Sequence, residues 1–283
     1  MFLNVSSKGR AVLITAVVAW IGVVAISGFF ASDETVIEQA SHGQGKRDVQ
    51  EAVTSGVEAL AGQPYAYTVA PPMNRLCDIT PIRSGVHYQQ HLDVVTETGD
   101  SDLVIDRLHS HLSDRYELTI APGDGARGTT EDFIDLTLSR DETVRWHADA
   151  GCRRAELSSE PFSLIDREDV NDNHKVIGTM TPIAEPIGEI SIMRQGSISC
   201  PESAPKANTH TYWAELDSVD TEDALADFRD HIPEEASVLV DTDSSVAYQT
   251  QAGDFVIAQE GQVLSEEEAG ATLAYTTPCG PVS

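Results

Sequence analysis

The chain opens on an uninterrupted apolar run and then changes character. Ala11 to Phe30 reads AVLITAVVAWIGVVAISGFF, and no charged residue occurs from Ala11 to Ser32. At a helical rise of about 1.5 Å, some twenty residues span roughly 30 Å, the thickness of a bilayer's hydrocarbon core. Lys8 and Arg10 precede the run, and Asp33 and Glu34 follow it. The positive-inside rule then predicts a cytoplasmic tail over 1–10, a single plasma-membrane anchor over 11–31, and export of everything beyond. The run is longer than a signal-peptide core, and Phe29–Ala31 makes a poor small-x-small cleavage site, so an uncleaved anchor is expected.

Beyond the anchor the hydrophobic spacing shortens to that of amphipathic elements. Lys46–Leu60 has apolar residues at 49, 53, 57 and 60, which predicts a helix in a juxtamembrane stalk over 32–62. Two similar blocks follow. The first, 63–160, has an extended segment Tyr65–Val69, a strand around Tyr88–Val95, and a helix with Val104, Leu108 and Leu112 on one face. Asp100 stands near its N-cap and Asp102 in its first turn, where negative charge suits the dipole. Alternating strands come next, Tyr116–Ala121, Phe133–Ser139 and Thr143–Ala148, with the glycine-rich loop Pro122–Gly128 between the first two. The second block, 187–283, repeats the order: Ile187–Met193, a strand Tyr212–Val219, and a helix opened by Asp220 and Glu222 with Ala224, Phe228 and Ile232 on one face.

The two blocks also match residue by residue. Tyr88, Leu92, Asp93 and Val95 match Tyr212, Leu216, Asp217 and Val219; Leu118 and Ile120 match Val238 and Val240; Asp132–Ile134 matches Asp254–Val256. This order predicts an α+β protein: an N-terminal transmembrane helix, then two units arising by duplication, each a mainly antiparallel sheet with one packed helix. Between them, 161–186 reads as a proline-spaced connection.

The cysteines fit the same division. Cys77 and Cys152 are 75 residues apart, and Cys200 and Cys279 are 79 apart. Four cysteines in an exported chain allow three pairings; the two near-equal intervals select Cys77–Cys152 and Cys200–Cys279, each tying the start of a unit to its end.

Charge narrows the function classes. The 283 residues carry 46 acidic and 18 basic side chains, a formal charge of −28. With Lys8 and Arg10 inside the cell, all of the negative excess lies on the exported side, and only Lys175 and Lys206 are lysines beyond residue 50. Such a surface repels nucleic acid and anionic lipid and favours cations and basic partners. Catalytic patterns are scarce. No nucleophile elbow, Walker loop or dinucleotide fingerprint occurs. Asp169, Asn171 and Asn173 open like a calcium loop, but His174 stands where its glycine belongs and Met180 where its bidentate glutamate belongs, which leaves at most weak calcium binding. His87 and His91 share a strand face about 13 Å apart, too far to hold one ion between them. His109 and His111 point apart on a helix.

An N-terminal anchor, an acidic and lysine-poor exported region, and a β-rich unit ending in Thr277-Pro278-Cys279 resemble membrane-anchored envelope proteins and lipoprotein-like α+β domains of actinobacteria, although no lipobox cysteine follows the anchor. The resemblance implies an envelope location more than an activity. The expectation is therefore a non-enzymatic interaction or accessory protein of the cell envelope with an unidentified protein partner. The alternatives are a calcium- or metal-assisted hydrolase seated on the 166–175 segment or the first unit's histidines, and a calcium-dependent adhesion module.

Overall fold

The computed structural model describes residues 41–81, 83–97, 99–121, 125–140, 143–154, 170–201, 204, 206–217, 220–260 and 271–280. The anchor predicted over 11–31 and its flanking Lys8 and Arg10 lie outside the described residues. Among the described residues no helix is long and apolar enough to cross a membrane. Ala40 to Ser283 belong to one compact unit, and within it the two predicted halves are two antiparallel sheets, each with a packed helix.

Helix α1, His42–Leu60, forms where the spacing predicts it. Ser41 caps it, its hydroxyl accepting from the Gln44 N–H at 3.2 Å. Val49, Val53, Val57 and Leu60 are buried as expected. They do not face a stalk's surroundings, however. The helix lies across the first sheet, because Ala52 and Gly56 join the apolar face and allow close approach. The Trp146 indole donates to the Ala52 carbonyl at 2.8 Å, and a methyl on Gly56 would meet the Trp146 ring at 2.7 Å.

Sheet one contains β1 (Ala66–Val69), β2 (Met73–Thr80), β3 (Arg83–Val95), β4 (Thr119–Ala121), β5 (Gly125–Thr129), β6 (Asp135–Arg140) and β7 (Val144–Arg154), in the order β1-β3-β7-β6-β5-β4, with β2 also on β3. Helix α2, Ser101–Tyr116, follows β3; Val104, Leu108, Leu112 and Tyr116 are its buried stripe. Tyr116, expected to start a strand, instead completes this stripe one turn beyond Leu112. Sheet two contains β8 (Glu189–Ser199), β9 (Asn208–Asp217), β10 (Ser237–Asp241), β11 (Ser245–Gln249), β12 (Phe255–Glu260) and β13 (Ala271–Thr277), in the order β10-β11-β12-β13-β9-β8. Helix α4, Thr221–Asp230, follows β9, with Ala224, Leu225 and Phe228 buried and the Asp220 carboxylate accepting from the Glu222 N–H. Helix α3, Val170–Ala184, occupies the segment expected to be a connection. Pro182 lies within it and Pro186 just beyond, yet Met180, Ala184 and Ile187 recur at helical spacing and are buried on the second sheet.

The strand ladders of the two sheets correspond. Both sheets run through the same order, with β1 and β2 together taking the place of β8: each lies antiparallel on one side of β3, broken at Pro71-Pro72. Cys77 opposes Gly85 in the first ladder, and the Cys200 N–H bonds the Ala207 carbonyl at the corresponding rung of the second. The hairpin joining β5 to β6 is closed by Thr130, whose hydroxyl accepts from the Ile134 N–H at 3.1 Å; Thr250 does the same for Asp254. Phe133 and Gly253 sit at the same position of this hairpin, with φ of 59° and 86°. A left-handed phenylalanine is strained where glycine is not. Both disulfides join as expected, Cys77–Cys152 with Cα atoms 6.0 Å apart and Cys200–Cys279 with Cα atoms 5.5 Å apart.

The rungs also correct the residue matches. They place Gln90, not Tyr88, opposite the counterpart of Tyr212's partner: Gln90 pairs with Ala148, and Tyr212 with Tyr275. Leu118 is buried where Val238 is exposed, and Ile120 is exposed where Val240 is buried. A bulge between Val238 and Val240 supplies the extra residue that inverts the face.

Two predictions follow from the packing. Gly196 of β8 crosses β1 so closely that a methyl there would lie 2.1 Å from the Val69 carbonyl oxygen. Gly196→Ala should therefore destabilise by about 1–3 kcal/mol, whereas Gly178→Ala, on α3 with open space around it, should stabilise by up to about 1 kcal/mol; urea denaturation of both variants checks the contrast. Removing either disulfide by paired Cys→Ser substitution should cost roughly 4 kcal/mol, the loop-closure value for spans of this length, read from the same denaturation curves.

Candidate functional site

Alternation along β3 and β7 divides their side chains between two faces. Tyr88, Gln90, Leu92, Val94, Trp146 and Ala148 face the helices and are buried. The residues between them, His87, Gln89, His91 and Asp93 on β3 and Arg145, His147 and Asp149 on β7, share the opposite face. Register then sets the neighbours: His91 is paired with His147, Asp93 with Arg145, and Gln89 with Asp149. The row continues across β6 and β5 through Thr137 and Arg127.

Two imidazole–carboxylate pairs organise this face. His87 Nε2 lies 2.6 Å from Asp149 Oδ1, and the same oxygen accepts from the Gly151 N–H at 2.6 Å. His91 Nε2 lies 3.4 Å from Asp93 Oδ2. Asp93 in turn is gripped in fork geometry by Arg145, Nε to Oδ1 at 2.7 Å and Nη2 to Oδ2 at 3.1 Å. Its side chain is only 5% exposed. Burial alone would raise the Asp93 carboxyl, but the hydrogen bonds and charges of His91 and Arg145 outweigh burial and hold it below the usual carboxylate range. The His147 ring stands 6.3 Å from that of His91, centroid to centroid. Burial and the neighbouring His91 hold its imidazole below the ordinary value of 6.5, against the opposing pull of Asp149.

A second polar centre lies at the C-terminal end of β7. The Arg153 guanidinium is buried and donates to the carbonyls of Ala150, Asp132 and Phe133 at 2.5, 2.8 and 2.9 Å. It clamps the hairpin containing the strained Phe133, so its role is to hold that turn.

The residues singled out from sequence are distributed differently. The four cysteines are all in disulfides. Asp169 lies outside the described residues, and Asn171 and Asn173 fall in the first turn of α3, where the backbone is helical rather than looped. His109 and His111 are on α2, and the His231 ring lies 2.7 Å from the Asp227 carbonyl at the end of α4. Among the described residues no group of three or more histidine, cysteine, aspartate or glutamate side chains is arranged to hold a metal ion. The residue that sequence reasoning missed is His147. The alternation of Val144–Ala150 marks it as lying on the polar face, but only the ladder brings it beside His91.

Comparison with protein-family models, with curated proteins and with solved structures gives no match.

His147 makes an acid-sensitivity prediction. Its folded-state value is depressed, so its contribution to stability is present above about pH 6.5 and is lost as pH falls through the folded value. The unfolding free energy should drop between about pH 7.5 and about pH 5.5, and His147→Gln should shrink that drop; urea titrations at both values measure it.

Proposed function

We propose that the chain is a single-pass, membrane-anchored protein of the cell envelope whose exported part is an interaction or accessory subunit, and that it meets its partner through the histidine and aspartate face of the first sheet. One observation carries this reading. Equivalent rungs of the two sheets have opposite chemistry: His91, His147, Thr137 and Arg127 in the first correspond to Trp213, Ala274, Ile257 and Ala247 in the second. The second row is fully buried and belongs to the core shared by both sheets. The first row faces outwards, with His91, His147 and Thr137 half-buried and Arg127 exposed. After duplication, one copy uses this face to build the molecule and the other presents it. Two disulfides accord with an oxidising compartment, and the apolar segment 11–31 with an anchor.

A metal-assisted hydrolase is the second reading, favoured by the two imidazole–carboxylate pairs. Photo-crosslinking in intact cells tests the first. A crosslinker placed at Thr137 or Gln89 should give one discrete adduct that weakens several-fold with Asp149→Asn, while one at Glu222 on α4 should give none. Equal capture from all three positions, or a defined turnover by the purified chain, overturns the interaction reading.

A further inference from the structure

The notable element of the polar face is the cross-strand pair His91 and His147. Paired residues on adjacent antiparallel strands project side by side from one face. Metal–nitrogen bonds of about 2.1 Å bring two ligating imidazoles to roughly 5–6 Å between ring centroids. The observed 6.3 Å is reached from there by a small side-chain rotation. His91 already has the kind of partner that metal-bound histidines use: its Nε2 lies 3.4 Å from the Asp93 carboxylate, which Arg145 locks in place, and Nδ1 is the nitrogen left to face an ion. The His91 side chain is 19% exposed and His147 is half-buried, so the pair is reachable from solvent.

We propose that His91 and His147 form a two-histidine site for one divalent transition-metal ion, of the zinc or copper class, with Asp93 positioning His91 and water completing the coordination. Borderline ions of this class take imidazole nitrogen, whereas calcium takes oxygen, so this site is distinct from the calcium loop considered over 166–175. The second sheet has Trp213 and Ala274 at the equivalent rung, so the site is not repeated there. The inference does not depend on the interaction reading, since it concerns the chain alone.

The test uses the purified full chain and the metals alone. Zinc titrated calorimetrically at about pH 7.5 should bind one ion per chain. His91→Ala and His147→Gln should each weaken binding at least tenfold, and His111→Ala, exposed on α2, should leave it unchanged. Electron paramagnetic resonance of the copper-loaded unmodified chain needs no variant and should show two coordinating imidazole nitrogens. Absence of zinc binding, fewer than two nitrogens, or unchanged affinity in the His91→Ala/His147→Gln double variant overturns the site.

Discussion

The architecture depends on a single joint, where β1 of the first sheet meets β8 and β9 of the second. Strand β1 is an edge strand, and its outward backbone groups would be left without ladder partners. The second sheet satisfies them with side chains: the Val69 N–H donates to Thr211 Oγ1 at 2.9 Å, and the Val69 carbonyl accepts from the Trp213 indole at 3.2 Å. Gly196 is the only residue type that lets the backbones approach this far. Once the joint is closed, Tyr67 stacks edge-on against Phe255 at 5.3 Å, and the apolar face of the second sheet is sealed against the first unit. The edge is thereby covered, the second sheet is packed on both faces, and the core becomes continuous across the two sheets.

That closure accounts for the opposite chemistry of the two sheets at equivalent rungs. A face buried on one sheet and solvated on the other needs opposite polarity. Trp213 is wholly buried and uses its indole N–H at the joint. His91, at the same rung, has no such surface to meet and is held by Asp93. The pairing of Asp93 with Arg145 persists because a carboxylate this buried needs a cation beside it. Polar residues also remain on the second sheet's buried rungs, but there Thr211 and Thr276 bond one another at 2.9 Å.

Much of this was legible in the chain, and the failures have physical causes. The spacing at 49, 53, 57 and 60 and at 104, 108 and 112 located two helices, since burial on one side imposes a period that sequence records directly. The cysteine intervals identified both disulfides. The residue matches between units went wrong by two at Tyr88, and that error is invisible to patterning. A strand repeats its faces every two residues, so a slip of two preserves every inside and outside assignment. Only rung partners distinguish Gln90 from Tyr88 as the counterpart of Tyr212. Helix α3 was missed because Pro182, near its C-terminal end, masked the Met180, Ala184 and Ile187 stripe. The His91–His147 pairing could not be read at all, because residues 56 apart become neighbours only through the register of β3 on β7.

The charge balance gives the polar face its character. The chain is poor in bases, and many of its arginines have structural duties. Arg153 holds three carbonyls, Arg107 the Ala59 carbonyl, Arg115 pairs with Glu51 and Arg229 with Asp241. Those guanidinium groups are committed to fixed partners, and the chain as a whole carries a formal charge of −28. A face carrying three imidazoles therefore stands out chemically on an otherwise carboxylate-rich molecule. Imidazole nitrogen is a donor atom that carboxylates do not offer. This face consequently differs from its surroundings in the kind of bond it can form, and the surrounding carboxylates raise the local concentration of any cation that approaches it.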